Sequence, residues 1–265
     1  MKIIADHPLA HIDLLRAWER GESATALPRI DIDKADATVG IKACLAYKGE
    51  PALITWTSGT TGARKGVIIP WQTIERRAAT SHELYGGADP LAVVMSLRGQ
   101  GVGTLMPAKF GSTIIPVDPD SLAEARVLIE QRGVTCLFAT IDKIRAMIGK
   151  GLVPRSRELQ KLVIAGNVLS DLEHRTIVQA FGVPVYNCYG STETGTIAIS
   201  DGQTSALRPT PNAAIRIADG LVEVQTDMMA AGWLHGDIPT PDGWYATGDI
   251  GYIHDGMIAI EGRRK

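Results

Sequence analysis

The sequence predicts an α/β protein: a parallel-rich sheet covered by helices, with a smaller antiparallel β subdomain at the carboxy-terminal end. Three observations lead there. Between residues 51 and 200, short apolar runs alternate with amphipathic stretches, the rhythm of a parallel sheet with crossover helices. Ser121-Leu-Ala-Glu124 and Ser170-Asp-Leu-Glu173 fit the capping box that opens helices. Beyond residue 210 the rhythm shifts to short alternating strands broken at Asp-Gly pairs.

Taken in order, residues 7–20 suit one amphipathic helix, and residues 31–36 form a polar stretch expected as loop or edge. Ala52-Leu-Ile-Thr-Trp56 is apolar enough for a buried strand. The two capped helices are each followed by an apolar run, Val134-Thr-Cys-Leu-Phe138 and Val183-Pro-Val-Tyr186, and Leu162-Val-Ile-Ala165 precedes Ser170. Residues 214–225 read as a hairpin turning at Asp219-Gly220, and residues 252–260 repeat the device at Asp255-Gly256. The expected organisation is a shortened amino-terminal segment over residues 1–50, an α/β core over 51–205 and a small β subdomain over 206–265.

Composition bounds the function. A chain of 265 residues, 45% hydrophobic and 21% charged, suits one large or two small globular domains with a real core. A formal net charge of −2 without a Lys/Arg run argues against nucleic acid and anionic membrane as partners. Cys44, Cys136 and Cys188 are odd in number and widely spaced, which fits neither a disulfide framework nor a zinc site. The start has no apolar run of signal-peptide length, so a cytoplasmic protein with reduced thiols is expected.

The most informative stretch is Thr57-Ser58-Gly59-Thr60-Thr61-Gly62-Ala63-Arg64-Lys65-Gly66. Glycines let backbone N–H groups approach an anion, hydroxyls donate further hydrogen bonds, and Lys65 supplies charge, so the loop is suited to phosphate. It is not a Walker A loop, because Lys65 is followed by Gly66 and Val67 rather than by Ser or Thr. The bland alternative is a strand-to-strand turn rich in small residues. Asn187 and Tyr189 share one strand face, where an amide could meet an adenine edge and a flat ring a purine, with Gly190 keeping the backbone close. Alone, Tyr189 reads equally well as a core tyrosine, and Asn187 more often as a surface asparagine. Glu193, beside Ser191 and Thr192, is a carboxylate suited to Mg²⁺, which needs only one or two alongside phosphate oxygens; alone it reads as a surface charge.

Four segments in order, the Thr57–Gly66 loop, Tyr189-Gly-Ser-Thr-Glu193, Tyr245-Ala-Thr-Gly-Asp249 and Gly262-Arg263, resemble the adenylate-forming superfamily of acyl-CoA synthetases, luciferases and peptide-synthetase adenylation domains. The loop departs from that family's pattern only where Arg64 replaces proline. The resemblance implies ATP and Mg²⁺ as cofactors, with Thr192 at the α-phosphate, Glu193 holding the metal and Asp249 accepting from both ribose hydroxyls. It places Arg263 near the sugar or phosphate and Gly166 along the adenine and acyl pocket, and makes Lys65, Thr192 and Glu193 the catalytic set. Gly243-Trp-Tyr-Ala-Thr-Gly-Asp-Ile-Gly-Tyr252 is more similar to the acyl-CoA synthetase branch.

The implied reaction is ATP-dependent activation of a carboxylic acid, with CoA, a carrier protein or an amine as acceptor. Where the family has a histidine beside the acyl pocket, Leu91-Ala-Val-Val-Met-Ser-Leu97 leads to Arg98, which suits an acidic or polar acid. The chain reaches Gly262-Arg-Arg-Lys265, where the family's mobile lid with its bridging lysine is expected to begin. Two readings therefore stand side by side: an acid–thiol ligase of acyl-CoA synthetase type, and an ATP or acyl-adenylate binding module that needs a partner chain or a lid. The short amino-terminal segment leaves surface for a partner, so a homo-oligomer is also open.

Overall fold

The computed structural model describes residues 1–5, 10–27, 44–57, 65–85, 90–94, 110–118 and 120–264. In chain order the first elements are β1 (Lys2–Ala5), α1 (Ala10–Glu19), β2 (Ala24–Leu27), β3 (Ala52–Trp56), β4 (Gly66–Pro70), α2 (Trp71–Tyr85) and β5 (Leu91–Val94). Next come β6 (Ile114–Pro116), α3 (Leu122–Gln131), β7 (Cys136–Thr140), α4 (Ile141–Gly149), β8 (Lys161–Ala165), α5 (Asp171–Phe181), β9 (Val185–Ser191) and β10 (Gly195–Ile199). The remainder is β-rich: β11 (Arg208–Pro209), β12 (Ala213–Ala218), β13 (Leu221–Thr226), β14 (Gly232–Trp233), β15 (Tyr245–His254) and β16 (Met257–Arg263).

The parallel sheet runs β11-β10-β9-β8-β7-β5-β6. Strands β6, β5, β7, β8 and β9 are parallel, while β10 and β11 fold back antiparallel. One face is packed by α3, α4 and α5 through Leu122, Ile129, Ile144, Met147, Ile177 and Phe181. Of the two expected capping boxes, only Ser170 caps, accepting from the Glu173 backbone N–H at 3.2 Å. The Glu173 carboxylate does not reach back to it; Arg145 takes both its oxygens, at 2.6 and 3.1 Å. Ser121 makes no side-chain cap, a correction to the sequence pattern: its φ of −108° and ψ of 73° lie outside the extended capping geometry that Ser170 adopts.

A second sheet, β1-β2-β3-β4-β14, draws on widely separated parts of the chain. Strands β1, β2 and β3 are parallel, β4 returns antiparallel to β3, and β14 pairs with β4 at Gly232↔Ile68 and Trp233↔Val67. Strand β2 thus pairs directly with the strand that leads into the Thr57–Gly66 loop, at Ala24↔Leu53 and Thr25↔Ile54. A third sheet, β12-β13-β15-β16, is antiparallel. Both expected Asp-Gly hairpins are present, with φ of 49° and 73° at Asp219 and Gly220 and 50° and 72° at Asp255 and Gly256. Positive φ at both central residues matches the right-handed strand twist. A shared core joins the three sheets: Leu14 and Trp18 of α1, Leu53, Val67, Ile69, Ile74 of α2, Ile197, Val224 and Tyr245.

The β9–β10 hairpin is the piece that matters most for a site. Its three-residue loop closes through Gly195 in the left-handed region at φ 71°, the usual device for this loop length. Gly190 has no room for a side chain, because an added Cβ would stand 2.0 Å from the Gly195 carbonyl oxygen. Arg77, from α2, reaches the loop from beneath and is only 2% exposed. Its Nε and Nη2 donate to the Met228 carbonyl at 2.9 and 2.6 Å, Nη2 also to the Glu193 carbonyl at 2.8 Å, and Nη1 to the Thr192 carbonyl at 3.1 Å. Burial pulls the guanidinium down to about 9, opposed by the neighbouring Glu193 charge, so Arg77 remains a cation at neutral pH. Replacing Arg77 by Met leaves buried carbonyls without this donor, at about 1–3 kcal/mol for each left unsatisfied. The expected loss of unfolding free energy for Arg77→Met, measured by urea denaturation, is about 3 kcal/mol; a loss under about 0.5 kcal/mol, the range of ordinary surface changes, contradicts this role.

Candidate nucleotide site

Parallel sheets present ligands beyond the carboxyl ends of their strands, because the helix-capping loops gather there. Here β8 runs into Gly166 at φ 101°, and β9 ends in Tyr189-Gly-Ser191, one strand over in the register Ala165↔Cys188. Asn187 and Tyr189 lie on the same face of β9, as the period of two requires. Asn187 is 6% exposed, its backbone exchanging hydrogen bonds with Ser200. Tyr189 is half-buried, and its hydroxyl donates to Asp249 Oδ2 at 2.8 Å and Thr247 Oγ1 at 3.2 Å. Burial first, and then the Asp249 charge, raises the Tyr189 phenol well above its ordinary value, so it stays a donor.

Asp249 faces Arg263 across the β15–β16 register, with Arg263 Nη1 4.0 Å from Oδ1 and Arg263 Nη2 donating to the Thr247 carbonyl at 3.4 Å. Thr247 holds this corner together: its hydroxyl donates to the Val222 carbonyl at 3.0 Å and accepts from the Asp249 N–H at 3.1 Å. A carboxylate oxygen has two acceptor positions, so Asp249 retains capacity for hydroxyl donors beyond Tyr189.

On the other side, Thr57 and Lys65 close the base of the loop between β3 and β4. The Thr57 N–H donates to the Lys65 carbonyl at 3.0 Å, and the Lys65 N–H donates to Thr57 Oγ1 at 3.1 Å. The loop does join two antiparallel strands, yet it is longer than the about two to five residues of a tight hairpin. Ser58, Gly59, Thr60, Thr61 and Gly62 lie outside the described residues, as do residues 31–36 and Arg98. Lys65 Nζ stands 3.9 Å from the centroid of the Trp233 ring. The same indole donates through Nε1 to Glu193 Oε1 at 3.3 Å. Glu193 is not a solvated surface charge: it is 8% exposed, and Trp233 is its carboxylate's only hydrogen-bond donor among the described residues.

Burial raises the Tyr245 phenol first, then the charge of Glu193, with Arg263 opposing and Asp249 adding to it. Most nominated residues that are described fall into two groups: Lys65 with Glu193 through Trp233, and Tyr189 with Asp249 and Arg263. Gly166 stands nearby at the strand ends, and Thr192 is placed by its carbonyl bond to Arg77. Sequence reasoning missed Arg77, Trp233 and Thr247. Arg77 sits in Glu75-Arg76-Arg77, which reads as a solvated helix face; Trp233 follows Gly232 in a stretch with no chemical signature of its own.

No group of three or more His, Cys, Asp or Glu side chains gathers to hold a metal among the described residues. A single buried carboxylate with an oxygen left over still fits Mg²⁺ that takes its remaining ligands from phosphate and water. Cys44, Cys136 and Cys188 are buried thiols, and burial pushes Cys136 up to about 12. No helix among the described residues is long and apolar enough to cross a membrane.

Comparison with known proteins bears on the family and the fold. A 4-chlorobenzoate–CoA ligase from Arthrobacter sp is 28% identical over 249 residues, covering 81% of this chain and 47% of that protein. An indoleacetate–CoA ligase from Aromatoleum aromaticum is 30% identical over 249 residues, covering 81% of this chain and 48% of that protein. The chain thus spans about half the length of the curated relatives it matches. The o-succinylbenzoate CoA synthetase of Bacillus subtilis, solved with an acyl-adenylate intermediate, superposes with a TM-score of 0.83 at 17% identity, covering 99% of this chain and 68% of that one, which shows a shared fold. The model of the AMP-binding enzyme family matches residues 13–230, and the chain belongs to that family.

Proposed function

We propose that this chain binds Mg·ATP and forms the nucleotide side of an acyl-CoA synthetase-like, AMP-forming ligase. The observation that carries the reading is a pair of corners set on one β9–β10 hairpin: Lys65 and Glu193 about Trp233, and Asp249 and Arg263 about Tyr189. The first suits a metal-bound polyphosphate, and the second suits a ribose. In this reading residues 51–205 carry the phosphate and purine groups, residues 206–265 carry the ribose group, and residues 1–50 buttress the loop-bearing strand.

The half-reaction joins a carboxylate oxygen to the α-phosphorus of ATP and breaks the bond to the β-phosphoryl oxygen, releasing pyrophosphate. Lys65 and the loop amides neutralise the polyphosphate, and Thr192 attends the α-phosphate. The Tyr189 ring and Asn187 amide receive the purine, with Gly190 and Gly166 lining its edge. Asp249, oriented by the Tyr189 hydroxyl, accepts from the ribose, with Arg263 beside it. Bound Mg²⁺, held by Glu193, supplies further charge neutralisation at the phosphate oxygens. Fixed positive groups aimed at phosphate oxygens form the main electrostatic contribution in such transfers.

The named relatives act on chlorobenzoate, indoleacetate and succinylbenzoate, so an aromatic carboxylic acid is the first class to supply, with CoA as the first acceptor. Coverage of about half of each relative keeps a second reading beside the first: a module that holds ATP or acyl-adenylate and turns over only with further chain. Acid-dependent exchange of pyrophosphate into ATP separates them, because binding without exchange leaves the second reading.

Calorimetry tests the corner assignments. Lys65→Ala is expected to weaken ATP more than AMP, since the ammonium serves the outer phosphates, whereas Asp249→Ala weakens both alike. Each loss is expected at about 1.5–3 kcal/mol, the size of a hydrogen bond to a charged group. Glu193→Gln is expected to remove most of the affinity that Mg²⁺ adds to ATP, with AMP binding retained. Equal losses for ATP and AMP in all three variants mean that the corners are mislabelled.

A further inference from the structure

Lys65 and Glu193 carry opposite charges, and each contacts Trp233 rather than the other. The indole meets them with complementary regions. Its electron-rich face lies under the ammonium at 3.9 Å, and its N–H, at the electropositive edge, donates to the carboxylate at 3.3 Å. Hydrogen bonds tie down the backbone that carries the ring. Strand β14 pairs with β4 directly after the phosphate loop, and the Trp233 N–H bonds the Gly236 carbonyl at 2.8 Å. The Leu234 N–H bonds the Gly66 carbonyl at 2.8 Å, and Leu234 fills the space a side chain at residue 66 would need.

A cation and an anion this close to one ring have an obvious competing arrangement, a direct ion pair. Such a pair would occupy the ammonium that a phosphate requires and the carboxylate that a metal requires. Contacts to an uncharged ring orient both groups while leaving their charges unspent. We propose that Trp233 is a positioning residue that keeps Lys65 and Glu193 apart, holding one for phosphate and the other for the divalent metal. The inference rests on the Mg·ATP reading above and adds a residue outside the four motifs.

The test compares wild type, Trp233→Phe and Trp233→Leu by calorimetry with AMP, with ATP in EDTA, and with ATP and Mg²⁺. Phe keeps the ring face and loses the N–H. Its affinity for ATP in EDTA is expected within about twofold of wild type, while the enhancement by Mg²⁺ falls at least about fivefold. Leu loses both contacts and lets the ammonium close on Glu193. Its ATP affinity is expected to fall at least about fivefold with and without Mg²⁺, with AMP within about twofold of wild type. Trp233→Phe, the closer match in shape, decides the matter if the Leu variant does not fold. Unchanged ATP and Mg²⁺ behaviour in both variants overturns the inference, as does an equal loss of AMP and ATP, the signature of a purely structural residue. Wild type failing to bind ATP overturns the Mg·ATP reading and this inference together.

Discussion

The placement of Glu193 and Trp233 depends on one buried guanidinium. Arg77 gathers the carbonyls of Thr192, Glu193 and Met228, which belong to two segments far apart in sequence. One segment is the hairpin tip that carries Glu193; the other leads into β14 and so to Trp233. A buried cation is costly unless its donors are satisfied, and these carbonyls satisfy it. In return the two segments are locked at a fixed separation, and the Glu193 carboxylate is placed against the indole. Gly195 is needed at that point twice over, because its φ is positive and because a Cβ there would meet Arg77 Nε at 2.9 Å.

The same logic runs through the second corner. Thr247 and Tyr189 have no charge, yet they orient Asp249 through neutral hydrogen bonds and leave acceptor capacity on its oxygens. Trp233 does the equivalent for Lys65 and Glu193. Charged groups are thus oriented mainly by neutral partners, apart from the long contact between Arg263 and Asp249 at 4.0 Å. This arrangement suits a site whose charges are meant for phosphate, sugar and metal, and it differs from a surface network of mutually satisfied ion pairs. Arg145 shows that other case, with Asp142 and Glu173 both bound to it on the helical face.

Local signals were the legible part of the chain. Asp219-Gly220 and Asp255-Gly256 specify their turns by backbone sterics alone, and Ser170 caps its helix through a contact three residues away. The motif residues Lys65, Tyr189, Glu193, Asp249 and Arg263 could be named from chemistry and from family resemblance. What connects them could not. Strand β14 is two residues long and pairs with a strand more than a hundred and fifty positions earlier, so no window of sequence contains its reason. Arg77 reads as a solvent-facing helix residue because its partners are main-chain carbonyls, which carry no side-chain signature. Ser121 errs in the other direction: the capping pattern is present, but the backbone there is not extended, so the hydroxyl makes no cap.

The central claim is spatial, that one nucleotide bridges the Lys65–Glu193 corner and the Tyr189–Asp249 corner. A crystal structure of the chain with a non-hydrolysable ATP analogue and Mg²⁺ tests this most directly. The expected density places the purine against Tyr189, the ribose hydroxyls on Asp249, the polyphosphate at Lys65 with the ammonium lifted from the Trp233 ring, and the metal on Glu193. Density for the nucleotide elsewhere, or for a nucleotide that leaves Lys65 and Glu193 in contact with Trp233 alone, would contradict it.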